Sequence, residues 1–148
     1  MSTRPEKAES IFRQGFSCSQ AVLAAYADTG GLDAERATRH SEGLAAGMCG
    51  LGRTCGAVTG AFLAIGLVHG RTRPDDVAAR DATSRRVRRL AAEFERRHGS
   101  LECPALLGCQ IDTPEKRQAA RDAGLFQRIC PPLVRSAAEL VERELAEP

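Results

Sequence analysis

Aromatic side chains are scarce: five Phe, one Tyr and no Trp. A surface that stacks unpaired bases has little to be built from. Charge of one sign is not in excess either, since 21 basic and 19 acidic residues leave a formal net charge of +2. That balance gives no reason to expect a nucleic-acid partner. No apolar run approaches the ~18–20 residues of a membrane span, so no membrane insertion is expected. The polar start, Met1 to Ser10, carries Glu6 and Glu9 and lacks the apolar stretch of a secretory signal. The expected compartment is therefore the cytoplasm. No segment alternates apolar and polar residues over the length of a strand. The short motifs of familiar chemistry are missing as well: Cys-x-x-Cys, Cys-x-x-Cys-His, His-Glu-x-x-His, a Ser–His–Asp order, a glycine-rich phosphate loop after a strand. These absences disfavour a thioredoxin-type pair, a zinc ribbon, c-type haem attachment, a hydrolase and a kinase.

What is present is helical. The chain has 148 residues, 43% of them hydrophobic and 27% charged. That suffices for one domain, 1–148, with a real core. Ala, Leu, Glu and Arg dominate, and apolar residues recur at helical spacing. The pattern predicts an all-α, compact bundle of about six to eight short helices around a buried central helix at about residues 55–68. A first helix is expected over Pro5–Gln14, with Ala8, Ile11 and Phe12 inward. Ser17 and Gln20 form a capping box for a second, Cys18 to about Ala27. Asp33 caps a third, reaching about Ala46. Gly47-Met48-Cys49-Gly50-Leu51-Gly52 then reads as a flexible glycine loop.

Thr54 is the expected N-cap of the central helix, which holds no charged residue; Gly56, Gly60 and Ala64 give it a thin ridge. Pro74 opens the longest helix, which ends at His98 with Val77, Ser84, Val87, Leu90, Ala91 and Phe94 inward. Cys103-Pro104 and Thr113-Pro114 start short helices. Cys130-Pro131-Pro132 starts the last, to about Leu145. The run Arg85-Arg86-Val87-Arg88-Arg89 is a solvated face rather than a phosphate-binding one, because arginine is this chain's habit: only Lys7 and Lys116 are lysine. His40 and His98 are expected on exposed faces. His69 ends the central helix and is a reserve ligand for a nearby site.

The six cysteines ask for a chemical explanation: Cys18, Cys49, Cys55, Cys103, Cys109 and Cys130. Four of them, Cys18, Cys55, Cys103 and Cys130, fall where helices are expected to begin. Unpaired N–H groups and the positive end of the helix dipole favour thiolate there. Cys49 lies in the glycine loop, and Cys109 follows Gly108.

Three stretches then carry a resemblance: Gly15-Phe16-Ser17-Cys18-Ser19-Gln20-Ala21-Val22-Leu23, Cys55-Gly56-Ala57-Val58-Thr59-Gly60-Ala61, and Cys103-Pro104-Ala105-Leu106-Leu107-Gly108. With Cys130 before a final helix, the chain resembles the redox-active family labelled C_GCAxxG_C_C, over roughly Ala8 to Leu145. The resemblance places the family's cysteines on Cys18, Cys55, Cys103 and Cys130, leaving Cys49 and Cys109 as additions. It implies redox activity with no fixed substrate. It also implies an unidentified redox partner linked to a transport system, and, through a related domain, association with an iron–sulfur centre.

Two chemistries and a bland alternative follow. Cys18, Cys55, Cys103 and Cys130 suffice for one iron–sulfur cluster or a structural zinc, the reading favoured by the sequence, with Gly56 and Gly60 beside the bound group. Alternatively no metal is used. Cys55 is then the attacking thiolate, with Cys18 or Cys49 resolving the mixed disulfide. Third, the cysteines are inert small hydrophobes in a helical interaction module, which as a homo-oligomer would bury further surface.

Overall fold

A computed structural model describes residues 1–148. It is 75% helical, with eight α-helices and no strand. The helices are α1 (Arg4–Arg13), α2 (Cys18–Tyr26), α3 (Ala34–Ser41), α4 (Gly56–His69), α5 (Val77–His98), α6 (Cys103–Leu107), α7 (Pro114–Asp122) and α8 (Leu125–Ala146). The all-α bundle expected from the pattern is the fold. No helix is long and apolar enough to cross a membrane.

α2 is the element most enclosed. Seven of its nine residues, Ser19 and Ala21 to Tyr26, are buried, because it is apolar on every side and packs against α1, α3, α4 and α8. Small residues allow this density. Ala8, Ala21, Ala25, Ala57, Ala61, Ala64, Ala137 and Ala138 are all fully buried, so helix axes lie close and the larger Val22, Val58, Ile65, Leu90 and Phe94 fill the spaces between. The single tyrosine belongs to this core. Tyr26 is buried and its hydroxyl donates to the Ala138 carbonyl at 2.6 Å, tying α2 to α8.

The central helix is α4, and it crosses α2 along the expected ridge. A Cβ on Gly60 would stand 2.7 Å from the Ser19 carbonyl oxygen, and one on Gly56 2.5 Å from the Cys18 sulfur. The two backbones therefore touch where glycine permits it. The burial is one-ended: Gly56 to Ala61 are buried, while Val68 near the far end is 39% exposed.

Several boundaries differ from expectation, each for a local reason. Cys55 itself, not Thr54, is the N-cap of α4; Thr54 is held outside the helix by an isolated bridge to Glu102. Asp76 caps α5 by accepting from the Ala79 N–H at 3.0 Å, so Pro74 lies in the preceding turn. Val77 (49% exposed) and Ser84 stand outside the core, because the first turns of α5 project beyond its partners. The last helix starts at Leu125 after Gly124, so Pro131 and Pro132 lie inside it. Each proline lacks the N–H that would reach four residues back. The orphaned carbonyls belong to Gln127 and Arg128, both exposed, where water can take the donors' place.

The arginine run is only partly a solvated face. Arg86 is buried and donates to the Glu144 carbonyl, and to the Glu147 carbonyl at 3.2 Å, closing the C-terminus of α8. Arg89 adds ion pairs to Glu144 at 2.6 Å and Glu147 at 2.9 Å. His98 is half-buried, against Phe94 and within 2.8 Å of the Ser136 hydroxyl. It is a packing residue rather than an exposed one.

Candidate functional site

The third helix stops at Ser41, five residues before its expected end. After a short 3-10 turn the chain does something uncommon. Ala46 (φ 54°, ψ 48°), Gly47 (67°, 46°) and Met48 (67°, 67°) follow one another in the left-handed region. Cys49 (φ 54°) and Gly50 (φ 82°) continue the run. This is one turn of left-handed helix, which costs roughly 1–2 kcal/mol for each residue carrying a Cβ. The expected flexible loop is thus a fixed device, and its hydrogen bonds hold it. Gly50 N–H donates to the Ala46 carbonyl at 2.9 Å and Arg53 N–H to the Gly47 carbonyl at 3.0 Å. Gly47 is buried, and a Cβ there would lie 2.8 Å from the Cys103 Cβ.

That turn presents the Ala46 N–H to the sulfur of Cys18. Cys18 opens α2 behind a complete capping box: Ser17 accepts from the Gln20 N–H at 3.4 Å, and the Gln20 side chain accepts from the Ser17 N–H at 3.0 Å. Opposite it, Cys55 is anchored by its own N–H, which donates to the Leu101 carbonyl at 2.7 Å. Both thiols line the cavity, and the Cys18 sulfur packs against Gly56, next to Cys55. The neighbouring Cys55 thiol, with the N–H groups of Ala46, Ser19 and Cys18, holds Cys18 down to about 7, against the penalty of burial. Cys55 is raised, first because its proton is engaged by Cys18 and then because it is buried. Of the two, Cys18 is the thiol whose surroundings favour the charged form, with three N–H groups beside it.

Cys103 and Cys130 complete the ring. Cys103 is the first residue of α6 and is fixed by its N–H donating to the Arg53 carbonyl at 2.9 Å. Cys130 is not at a helix start; it sits mid-helix in α8, one residue before Pro131. Burial pushes each up to about 12, with the charge of Cys18 adding to the effect. They are neutral thiols.

Cys18, Cys55, Cys103 and Cys130 line one cavity of about 640 Å³, walled by α1, α2, α6, α7 and α8. The fold thus brings together residues separated by up to 112 positions. Cys49 is not among them. It is exposed, outside the cavity lining, with its thiol 3.8 Å from the Glu42 carbonyl. Cys109 is half-buried and does not line the cavity; it packs behind it, against the small cluster of Cys103, Leu107, Ile111 and Ala120. His69 lies at the far end of α4 and does not reach the cavity. Gly56 and Gly60 lie against α2, where they admit Ser19 and the Cys18 sulfur.

A shared metal asks for more convergence than this. No three histidine, cysteine, aspartate or glutamate side chains are placed to hold one ion. The four thiols line one cavity without converging on a single point.

Sequence reasoning missed the Ala46 N–H, since a left-handed turn has no residue signature beyond its glycines. It also missed Arg117 and Arg121, which line the same cavity. Their spacing of four was readable, but the face of α7 that meets the cavity was not.

The chain is all-α, and its chemistry-bearing site is four cysteines around one cavity. The chain matches the family described as "Putative redox-active protein (C_GCAxxG_C_C)" over residues 16–144, and it belongs to that family. No curated protein and no solved structure matches it.

Proposed function

We propose that this protein carries out dithiol–disulfide exchange, with Cys18 as the attacking thiolate and Cys55 as the resolving thiol. One observation carries the reading: Cys18 and Cys55 line the same cavity, with the Cys18 sulfur packed against Gly56, the residue next to Cys55. The thiolate is the nucleophile in such exchange, and a thiol with pKa near ambient pH attacks best. This reading exchanges the roles expected from the sequence, because the Cys55 thiol and then the N–H groups of Ala46, Ser19 and Cys18 favour the thiolate on Cys18. Attack by Cys18 on a disulfide leaves a mixed disulfide on its sulfur and releases one thiolate. Cys55 then loses its proton and attacks Cys18, releasing the second thiol. The two electrons come from the Cys18–Cys55 pair, which ends as a disulfide.

The test is thiol counting after oxidation by bis(2-hydroxyethyl) disulfide. Native protein should lose one pair of thiols without retaining the reagent, while Cys55→Ser should retain one reagent half on Cys18. Six unreacted thiols in the native protein would overturn the reading.

A second reading draws on the four cysteines lining one cavity. In it Cys18, Cys55, Cys103 and Cys130 close around an iron–sulfur cluster or zinc, the side chains moving inward together. Iron, sulfide and zinc analysis of oxygen-protected protein tests it; metal-free protein with four titratable cavity thiols would exclude it.

A further inference from the structure

The cavity has a second kind of lining that thiol chemistry alone leaves unused. Arg117 and Arg121 stand one turn apart on α7, on the face that meets the cavity. Neither is joined to a carboxylate. The ion pair of that helix joins Lys116 to Asp112 at 2.8 Å, and Arg121 donates only to the neutral Gln118 side chain at 3.1 Å. Most other arginines of the chain are engaged: Arg13, also at the cavity, binds Glu9 at 2.8 Å. Arg117 is half-buried, so its free charge costs desolvation with no protein partner to offset it. The left-handed turn makes room for it, since a Cβ on Gly50 would fall where the Arg117 Nη1 stands. One carboxylate, Glu42, also lines the cavity, against two uncommitted guanidinium groups. Phe12, Phe126 and Leu133 supply apolar lining to the same cavity.

We infer that the cavity binds small disulfides bearing carboxylate groups, Arg117 and Arg121 holding the carboxylates while Cys18 faces the sulfur–sulfur bond. This names the substrate class for the dithiol reading and rests on it. Planar guanidinium groups bind carboxylates with paired N–H donors, and a cavity of about 640 Å³ is of the size that encloses a small molecule. The exchange is that given above. One substrate sulfur bonds to Cys18 while the other leaves as a thiolate; Cys55 then displaces the first, so one disulfide is reduced as one forms in the protein.

The test compares three disulfides of similar length and different charge against fully reduced protein at low salt. They are 3,3′-dithiodipropionate (dianion), bis(2-hydroxyethyl) disulfide (neutral) and cystamine (dication). Each rate is divided by the rate of the same disulfide with 2-mercaptoethanol. The dianion is expected to react about tenfold faster than the neutral compound, and the dication slowest, with the spread shrinking as salt rises. Arg117→Gln/Arg121→Gln should bring the dianion's normalised rate down to that of the neutral disulfide, with the helical circular dichroism of the native protein showing that the variant is folded. Equal normalised rates, or an advantage kept by the variant, would overturn the inference and leave the dithiol reading standing. Failure of all three compounds to oxidise the Cys18–Cys55 pair would remove the reading beneath it.

Discussion

At the scale of the residue, the account turns on which sulfur carries the charge. Helix starts were legible in the sequence, and for Cys18 the argument from them holds: the capping box at Ser17 and Gln20 is present at both its bonds. For Cys130 it fails. The Pro131-Pro132 pair reads as a beginning, yet Gly124 opens the helix earlier and the prolines are carried inside it. Nor could the sequence weigh Cys18 against Cys55, because the deciding donors come from Ala46 and from Cys55 itself. The pH dependence follows with its sign. Since Cys18 is lowered to about 7, its thiolate persists as pH falls until that point and is lost below it. Alkylation of Cys18 by iodoacetamide should therefore rise with pH through a midpoint near 7, read by mass spectrometry. Cys103 and Cys130, pushed up to about 12, should stay unmodified across the same range. Cys55→Ala removes the S–H donor, so the Cys18 midpoint should move upward; an unmoved midpoint would mean that the contact does not set it.

At the scale of the element, the glycine-rich stretch shows what pattern reading leaves out. Three glycines in Gly47–Gly52 announce positive φ, which pattern alone reads as freedom. In the fold they allow one turn of left-handed helix, into which Ala46, Met48 and Cys49 are drawn despite their Cβ atoms. Cys49 is exposed and engages only a long contact to Glu42. Cys49→Gly should therefore stabilise the protein by about 0.5–1 kcal/mol, the relief of left-handed strain less the entropy glycine adds to the unfolded chain. A shift in the urea midpoint reads this, and destabilisation would contradict the backbone assigned here. The ridge of α4 gives the opposite case, being foreseen from spacing alone. Gly60→Ala drives a Cβ against the Ser19 backbone, an overpacking expected to cost roughly 1–3 kcal/mol. The same substitution should disturb Cys18, one residue from Ser19.

At the scale of the whole molecule, the all-α class and the core faces of α2, α4 and α8 were readable from apolar spacing. Which faces meet was not. The arginine run illustrates why. Its composition resembles a solvated surface, but Arg86 is drawn inward because the last carbonyls of α8 need donors and α5 runs past them. Arg86→Met should cost about 1–3 kcal/mol by leaving those carbonyls unpaired. Faster hydrogen exchange confined to the last turn of α8 would identify the cause; unchanged stability would show that water replaces the guanidinium at no cost. The cavity is likewise a whole-molecule property. Its four cysteines come from four helix ends or interiors and meet through the packing of α1, α2, α4 and α6 with α8.

The central claim is that Cys18 and Cys55 form the working pair. Its most direct measurement is peptide mapping of the protein after stoichiometric oxidation by a neutral disulfide, with free thiols blocked by acid quench and alkylation. The account predicts a single Cys18–Cys55 bridge, with Cys49, Cys103, Cys109 and Cys130 alkylated. A bridge that joins Cys55 to Cys49, or Cys103 to Cys130, with Cys18 left free, would contradict it.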